Sequence, residues 1–178
     1  MGTGLDTGRR VTALILLNGP PGAGKSSVAR MYVEEHPLTL DLDIDRIRDL
    51  IGQWRQDPSN AGILARRIAI AAARVHLLAG HDVVVPQMLA RPEFIGQLEE
   101  LARECQVDFV EVVLLDTKER CLPRYVARGD LTTPRDELEA MYDRLLTLLP
   151  ERPGATVIPV RGDAAQTYRD VMEHLGRR

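Results

Sequence analysis

The sequence predicts an α/β fold in which a parallel sheet lies between layers of helices, and three observations carry that expectation. Short apolar runs rich in β-branched residues alternate with stretches of helical periodicity along the chain. One run, Val107–Leu115, is almost continuously apolar, as a strand buried on both faces should be. The first run leads directly into Gly19-Pro20-Pro21-Gly22-Ala23-Gly24-Lys25-Ser26, which fits the phosphate-loop pattern G-x-x-x-x-G-K-[ST] at every fixed position.

Taken in order, Met1 to Arg10 reads as a loose Gly/Thr-rich lead without a signal-peptide hydrophobic region, and a single domain is expected over residues 11–178. Val11–Leu17 is the first strand, and Val28, Ala29, Met31, Tyr32 and Val33 give the first helix its pattern. Leu38–Leu42 is a second strand that runs into Asp43-Ile44-Asp45, with a helix to about Trp54. Gln56-Asp57-Pro58-Ser59-Asn60 reads as a break before a long alanine-rich helix, Ile63–Leu78, which ends near Gly80. Asp82–Pro86 is the third strand, Pro92 opens a helix to about Glu104, and Val107–Leu115 is the fourth strand. Asp116-Thr117 offers a cap to a helix carrying Arg120, Arg124 and Arg128. Pro134 begins a helix to about Leu149, Ala155–Val160 is the last strand, and Ala164–Leu175 the last helix.

A chain of 178 residues with 44% hydrophobic content supports one packed domain and is short for two. A net charge of −3 argues against a dedicated nucleic-acid binder. Cys105 and Cys121 are too few for a disulfide framework or a zinc site, and the histidines show no ligand spacing. No apolar run approaches the ~20 residues of a membrane span, so no membrane partner is expected and the cytoplasm is the expected compartment.

A strand, a glycine-rich turn and a helix N-terminus together make an anion site, because backbone amides point at the phosphates and the helix dipole adds favourable potential. The expected nucleotide contacts are Gly19, Pro20, Pro21, Gly22, Ala23, Gly24, Lys25, Ser26 and Ser27. Lys25 would bridge the β- and γ-phosphates, and the Ser26 hydroxyl would ligate Mg²⁺. Lys25 and Lys118 are the only lysines in the chain, so a lysine at the required position is not compositional noise.

Asp41, Asp43 and Asp45 stand where the second strand gives way to a helix, on the sheet edge where ligands bind in such folds. Phosphoryl transfer to a hydroxyl needs a carboxylate there to orient the nucleophile and take its proton, and Asp43 and Asp45 are the candidates. Arg48, one helical turn past Asp45, either holds a substrate anion or neutralises the aspartates. Trp54, the only tryptophan, is expected in the core, with a stacking platform as the alternative. Arg120, Arg124 and Arg128 line one face of a helix and could close over a phosphoryl group, with Arg128-Gly129-Asp130 as the hinge of a lid over about 117–135. The third strand ends without the carboxylate of a Walker B segment, which makes Gln87 and Arg91 candidates for substrate contacts. Val160-Arg161-Gly162-Asp163 either touches the adenine or simply connects.

With these elements in view the chain resembles the small P-loop kinases, the group that holds chloramphenicol phosphotransferase, the polynucleotide 5′-hydroxyl kinases and the zeta toxins. Asp45-Arg46-Ile47-Arg48 is similar to the Asp-x-x-Arg element of the polynucleotide kinases, in which the aspartate is the base and the arginine holds substrate phosphate. A narrower likeness, to tunicamycin-resistance proteins, rests on Val85-Pro86 followed by Pro92-Glu93-Phe94 and on Asp116-Thr117-Lys118-Glu119-Arg120 leading into Arg124 and Arg128. The resemblance implies a P-loop NTPase fold with a five-stranded parallel sheet and a helical lid. It also implies ATP and Mg²⁺ as cofactors and a hydroxyl acceptor. The leading expectation is a kinase acting on a small molecule, nucleoside-like or antibiotic, as a monomer or homodimer. A nucleic-acid 5′-hydroxyl kinase and an ATP-binding regulatory switch with slow hydrolysis are the alternatives.

Overall fold

The computed structural model describes residues 11–127 and 133–176, so the expected lead before Val11 and the Arg128-Gly129-Asp130 hinge lie outside the described residues. The chain order is β1 (Ala13–Asn18), α1 (Lys25–Glu35), β2 (Leu40–Asp41), α2 (Ile44–Asp49), α3 (Pro58–Leu78), β3 (Val83–Val85), α4 (Pro92–Cys105), β4 (Asp108–Leu115), α5 (Lys118–Ala127), α6 (Arg135–Leu148), β5 (Thr156–Pro159) and α7 (Ala164–His174). The five strands form one parallel sheet in the order β2-β3-β1-β4-β5. The α/β class and its five parallel strands are thus as the sequence leads one to expect.

β1 is the central strand, and all six of its residues are buried. Its side chains divide between two cores. Leu14 and Leu16 pack with Val83, Val85, Phe94, Ile95 and Leu98 under α3 and α4. Ala13, Ile15 and Leu17 pack with Val28, Tyr32, Val112, Leu114 and Val171 under α1 and α7. Two-sided burial is why these strands read as unbroken apolar runs.

Two helix boundaries differ from the sequence expectation. α3 begins at Pro58, not Ile63, because Asp57 caps it: its carboxylate accepts from the Asn60 amide at 3.2 Å, and Pro58 takes the first helical position. The apparent break is a start signal. α2 ends at Asp49, followed by a 3₁₀ turn at Trp54–Gln56. Trp54 is half-buried outside the core, with the Arg48 and Arg55 guanidiniums 4.3 and 4.4 Å from its ring centroid. An indole there gains from two cations what it forgoes in burial.

One fully buried polar residue ties β1 to its neighbours. Asn18 Oδ1 accepts from the Gly19 amide at 2.8 Å and the Leu89 amide at 2.9 Å, while Nδ2 donates to the Leu89 carbonyl at 3.0 Å and to Glu111 Oε1 at 3.4 Å. The segment after β3 is thereby bonded to the first peptide of the glycine-rich loop.

Candidate active site

The carboxyl ends of all five strands gather at one edge, and the candidate residues follow from it. After β1 the chain turns through Gly19 and Gly22, with φ of +139° and +84°. A Cβ at Gly19 would stand 2.3 Å from the Leu114 carbonyl oxygen, and one at Gly22 would stand 2.2 Å from that of Cys121. Both turns therefore need glycine for close backbone approach as well as for φ. Pro20 and Pro21 between them, and Ala23 after them, are buried. Gly24 precedes α1 in the left-handed region, no side chain caps that helix, and no acidic residue sits in its first turn. Its positive end is left for an external anion. The Lys25 ammonium donates to the Gly19 carbonyl at 2.8 Å and the Pro20 carbonyl at 3.0 Å, Ser26 is exposed, and Ser27 is half-buried. This loop could hold nucleotide phosphates.

After β2 the aspartates separate by role. Asp43 is the N-cap of α2, accepting from the Asp45 amide at 3.0 Å and the Arg46 amide at 3.4 Å. Asp41, half-buried at the strand end, has one carboxylate oxygen without a partner. Asp45 makes no cap bond; its carboxylate pairs with Arg48 at 3.1 Å. Although its side chain is 56% exposed, the atoms around it desolvate the carboxyl and raise it above the usual 3.8, opposed by Arg48 and, from the loop, by Lys25. Asp45 thus lies in the field of the phosphate-loop lysine. Arg48 is engaged twice, by Asp45 and by the Trp54 ring.

Past β3, Val85 gives way to Pro86 and Gln87, with no carboxylate. Arg91 lines a cavity of about 400 Å³ together with Arg66, Phe94, Met141 and Arg144, drawn from α3, α4 and α6. Gln87 does not line it, and its Oε1 is buried without a partner. Among the described residues no group of three His, Cys, Asp or Glu could hold a metal. The exposed Ser26 hydroxyl is an oxygen that could ligate Mg²⁺, a cation that commonly keeps several waters and takes phosphate oxygens alongside few protein groups.

The arginine helix is organised by a residue the motif reading used only as a cap. The Asp116 side chain, 2% exposed at the end of β4, pairs with Arg124 at 2.8 Å and Arg120 at 3.3 Å. Arg120 also donates to the Val160 carbonyl at 3.1 Å, and the Tyr142 hydroxyl donates to the Asp116 carbonyl at 2.9 Å. The four-residue steps from Asp116 to Arg120 to Arg124 were the available signal. Arg124 further lines a cleft of about 230 Å³ with Gly22, Gly24, Val28, Val160 and Gly162, between the glycine-rich loop and the turn after β5. Arg128, the third member of the row, lies outside the described residues.

No curated relative matches the sequence. Solved structures do match across nearly the whole chain. A sugar kinase from Janibacter sp. superposes with a TM-score of 0.70 at 16% identity, covering 93% of this chain and 95% of that one. The Deinococcus radiodurans tunicamycin resistance protein gives 0.66 at 19%, covering 94% and 97%. A gluconokinase from Sinorhizobium meliloti 1021 gives 0.65 at 19%, covering 94% and 93%. At such identities the likeness is one of fold, and the fold is that of small kinases. Residues 14–148, well over half of the chain and including the loop, the aspartates and the arginine helix, match a single family: this chain belongs to the AAA domain family, with the P-loop kinase-like architecture its sequence announces.

Proposed function

We propose that the chain is an ATP-dependent phosphotransferase that moves the γ-phosphoryl group of ATP to a hydroxyl of a small molecule, with Asp45 as the base. The observation that carries this reading is the division of labour after β2. Asp43 is spent on capping α2, whereas Asp45 is left with a raised carboxyl in the field of Lys25. A base with a raised pKa takes a hydroxyl proton better near neutral pH. Gly19 to Ser27 would hold the triphosphate, with Lys25 on its β- and γ-oxygens. Mg²⁺, held by the Ser26 hydroxyl and phosphate oxygens, would neutralise charge on the transferred group. The cleft between Gly22 and Gly162 would take the adenine, and Arg120 and Arg124 would meet the charge that develops on transfer.

The acceptor would enter the cavity beside Arg91, whose mixed lining of Phe94, Met141, Arg66 and Arg144 suits a molecule with both apolar and polar parts. The neighbours named as sugar kinase, gluconokinase and tunicamycin resistance protein support a small-molecule acceptor. Arg48, on which a nucleic-acid kinase would rely, is already engaged with Asp45 and Trp54, and this weakens that alternative. The test is transfer from γ-labelled ATP to a panel of sugars, hydroxy acids, nucleosides, tunicamycin, chloramphenicol and RNA 5′ ends. Phosphate release with no labelled acceptor from any class would overturn the kinase reading in favour of a slow ATP switch.

A further inference from the structure

Apart from Leu77 and the partly buried Ile70, helix α3 turns alanines inward and several large apolar residues outward, against the usual order of an amphipathic helix. Ala61, Ala65, Ala69 and Ala73, four apart, are buried against the core. Leu64, Ile68, Val75 and Leu78 are 46, 48, 72 and 67% exposed. With Ala71, also exposed, they are spaced 4, 3, 4 and 3 residues apart, which is the seam of a two-helix coiled coil. No acidic residue interrupts the seam, and Arg67 and Arg74 border it on one side. Leu38, 68% exposed, has a φ of 63°, a region leucine rarely adopts, and its carbonyl accepts from His76 Nε2 at 2.6 Å. A second exposed leucine is thus held beside the C-terminal end of the same helix.

The seam is symmetric in size about its middle: large at Leu64 and Leu78, β-branched at Ile68 and Val75, small at Ala71. We propose that α3 is a homodimer interface, two copies packing antiparallel about a two-fold axis through Ala71. Leu64 then meets Leu78, and Ile68 and Val75 face each other one residue out of exact register, with Ala71 letting the helix axes approach, so the same patch serves both subunits. The four large side chains expose on the order of 450 Å² per copy, or roughly 900 Å² for the pair, before the arginine stems are counted; this is the size of a weak, transient interface and fits a reversible dimer. Arg74 is ion-paired with Glu104, and the antiparallel arrangement brings the other copy's Arg67 opposite that pair. A carboxylate between two guanidiniums makes the flank complementary where bare arginines would repel.

The proposal does not depend on the kinase reading and is tested by mass. Sedimentation of the wild-type chain over a submicromolar to submillimolar series should pass from monomer to dimer. Ile68→Glu and Val75→Glu, both at exposed positions, should each raise the dimer dissociation constant by about a hundredfold or more while circular dichroism and melting temperature hold. Ala71→Cys should give a disulfide-linked homodimer under mild oxidation, and Ala140→Cys, exposed on α6, should not. Leu64→Cys and Leu78→Cys chains should cross-link with each other and not with themselves. A wild-type chain that stays monomeric throughout, or a dimer indifferent to both glutamates, would overturn the interface; self-linked Leu64→Cys would overturn its antiparallel sense.

Discussion

Replacing Asp45 and Asp43 one at a time separates chemistry from scaffolding, because the fold uses the two carboxylates differently. Asp43 caps a helix of six residues through two amides. So short a helix has little stability of its own. Asp43→Ala should cost about 1 kcal/mol, the usual worth of an N-cap, and lower the melting temperature by about 2–4 °C in a domain of this size. Asp45→Asn removes no cap. A carboxyl raised in the folded state is ionised at a cost relative to the unfolded chain, so Asp45 subtracts from stability above its folded pKa; that deficit fades as pH falls through it and vanishes below the usual 3.8. Asp45→Asn should therefore melt no lower than wild type at neutral pH, while kcat falls by about 10²–10⁴, the contribution of a positioned base. The acidic limb of the kcat/KM profile, lying above 3.8 in the wild type, should disappear with it. The assays are labelled phosphoryl transfer from pH 4 to 9 and calorimetry across the same range. Full turnover in Asp45→Asn, or its loss in Asp43→Ala at an unchanged melting temperature, would refute the assignment.

Lys25→Ala should abolish turnover or weaken ATP binding with the melting temperature intact, and wild-type turnover in that variant would sink the phosphate-loop assignment. Arg124→Ala should lower kcat more than about tenfold with a much smaller change in ATP affinity, since charge over the transferred group acts chiefly in the transition state. Arg124→Lys should rescue only part of this, because it keeps the charge and loses the planar fork; a fully active Arg124→Ala would mean that α5 does not act in closure. Gly22→Ala drives a Cβ against the Cys121 carbonyl at a positive φ, and should cost about 2 kcal/mol or more along with ATP binding, as read by thermal denaturation and nucleotide titration.

What was legible in the sequence is what spacing along one dimension can encode. The glycine-rich loop, the apolar runs of a sheet buried on both faces and the four-residue steps of the arginines all survive projection onto a line. What stayed hidden depends on where one element ends and the next begins. Asp41, Asp43 and Asp45 look alike at the end of the second strand, but β2 stops at Asp41 and Asp43 belongs to the helix cap. Asp57-Pro58 was read as punctuation between helices, whereas Asp before Pro is also how a helix opens. For Trp54 the structure favours stacking over the core: Arg48 and Arg55, beside it in sequence, are its partners. Asn18 stayed hidden because its importance lies in contacts with Leu89 and Glu111, remote along the chain, and Asp116, legible as a cap, holds Arg120 and Arg124 as well.

Asn18 also bears on how such a site can close. Its single amide rivets the wall that carries Leu89 to the floor that carries Gly19, so the two behave as one piece of masonry. A jaw with one side fixed to its hinge can shut only from the other side. On the kinase reading proposed above, enclosure of a bound substrate would fall to the α5 side, where Arg120 and Arg124 are held by ion pairs with Asp116 that an arriving phosphate could compete for, whereas the Asn18 amide bonds are buried.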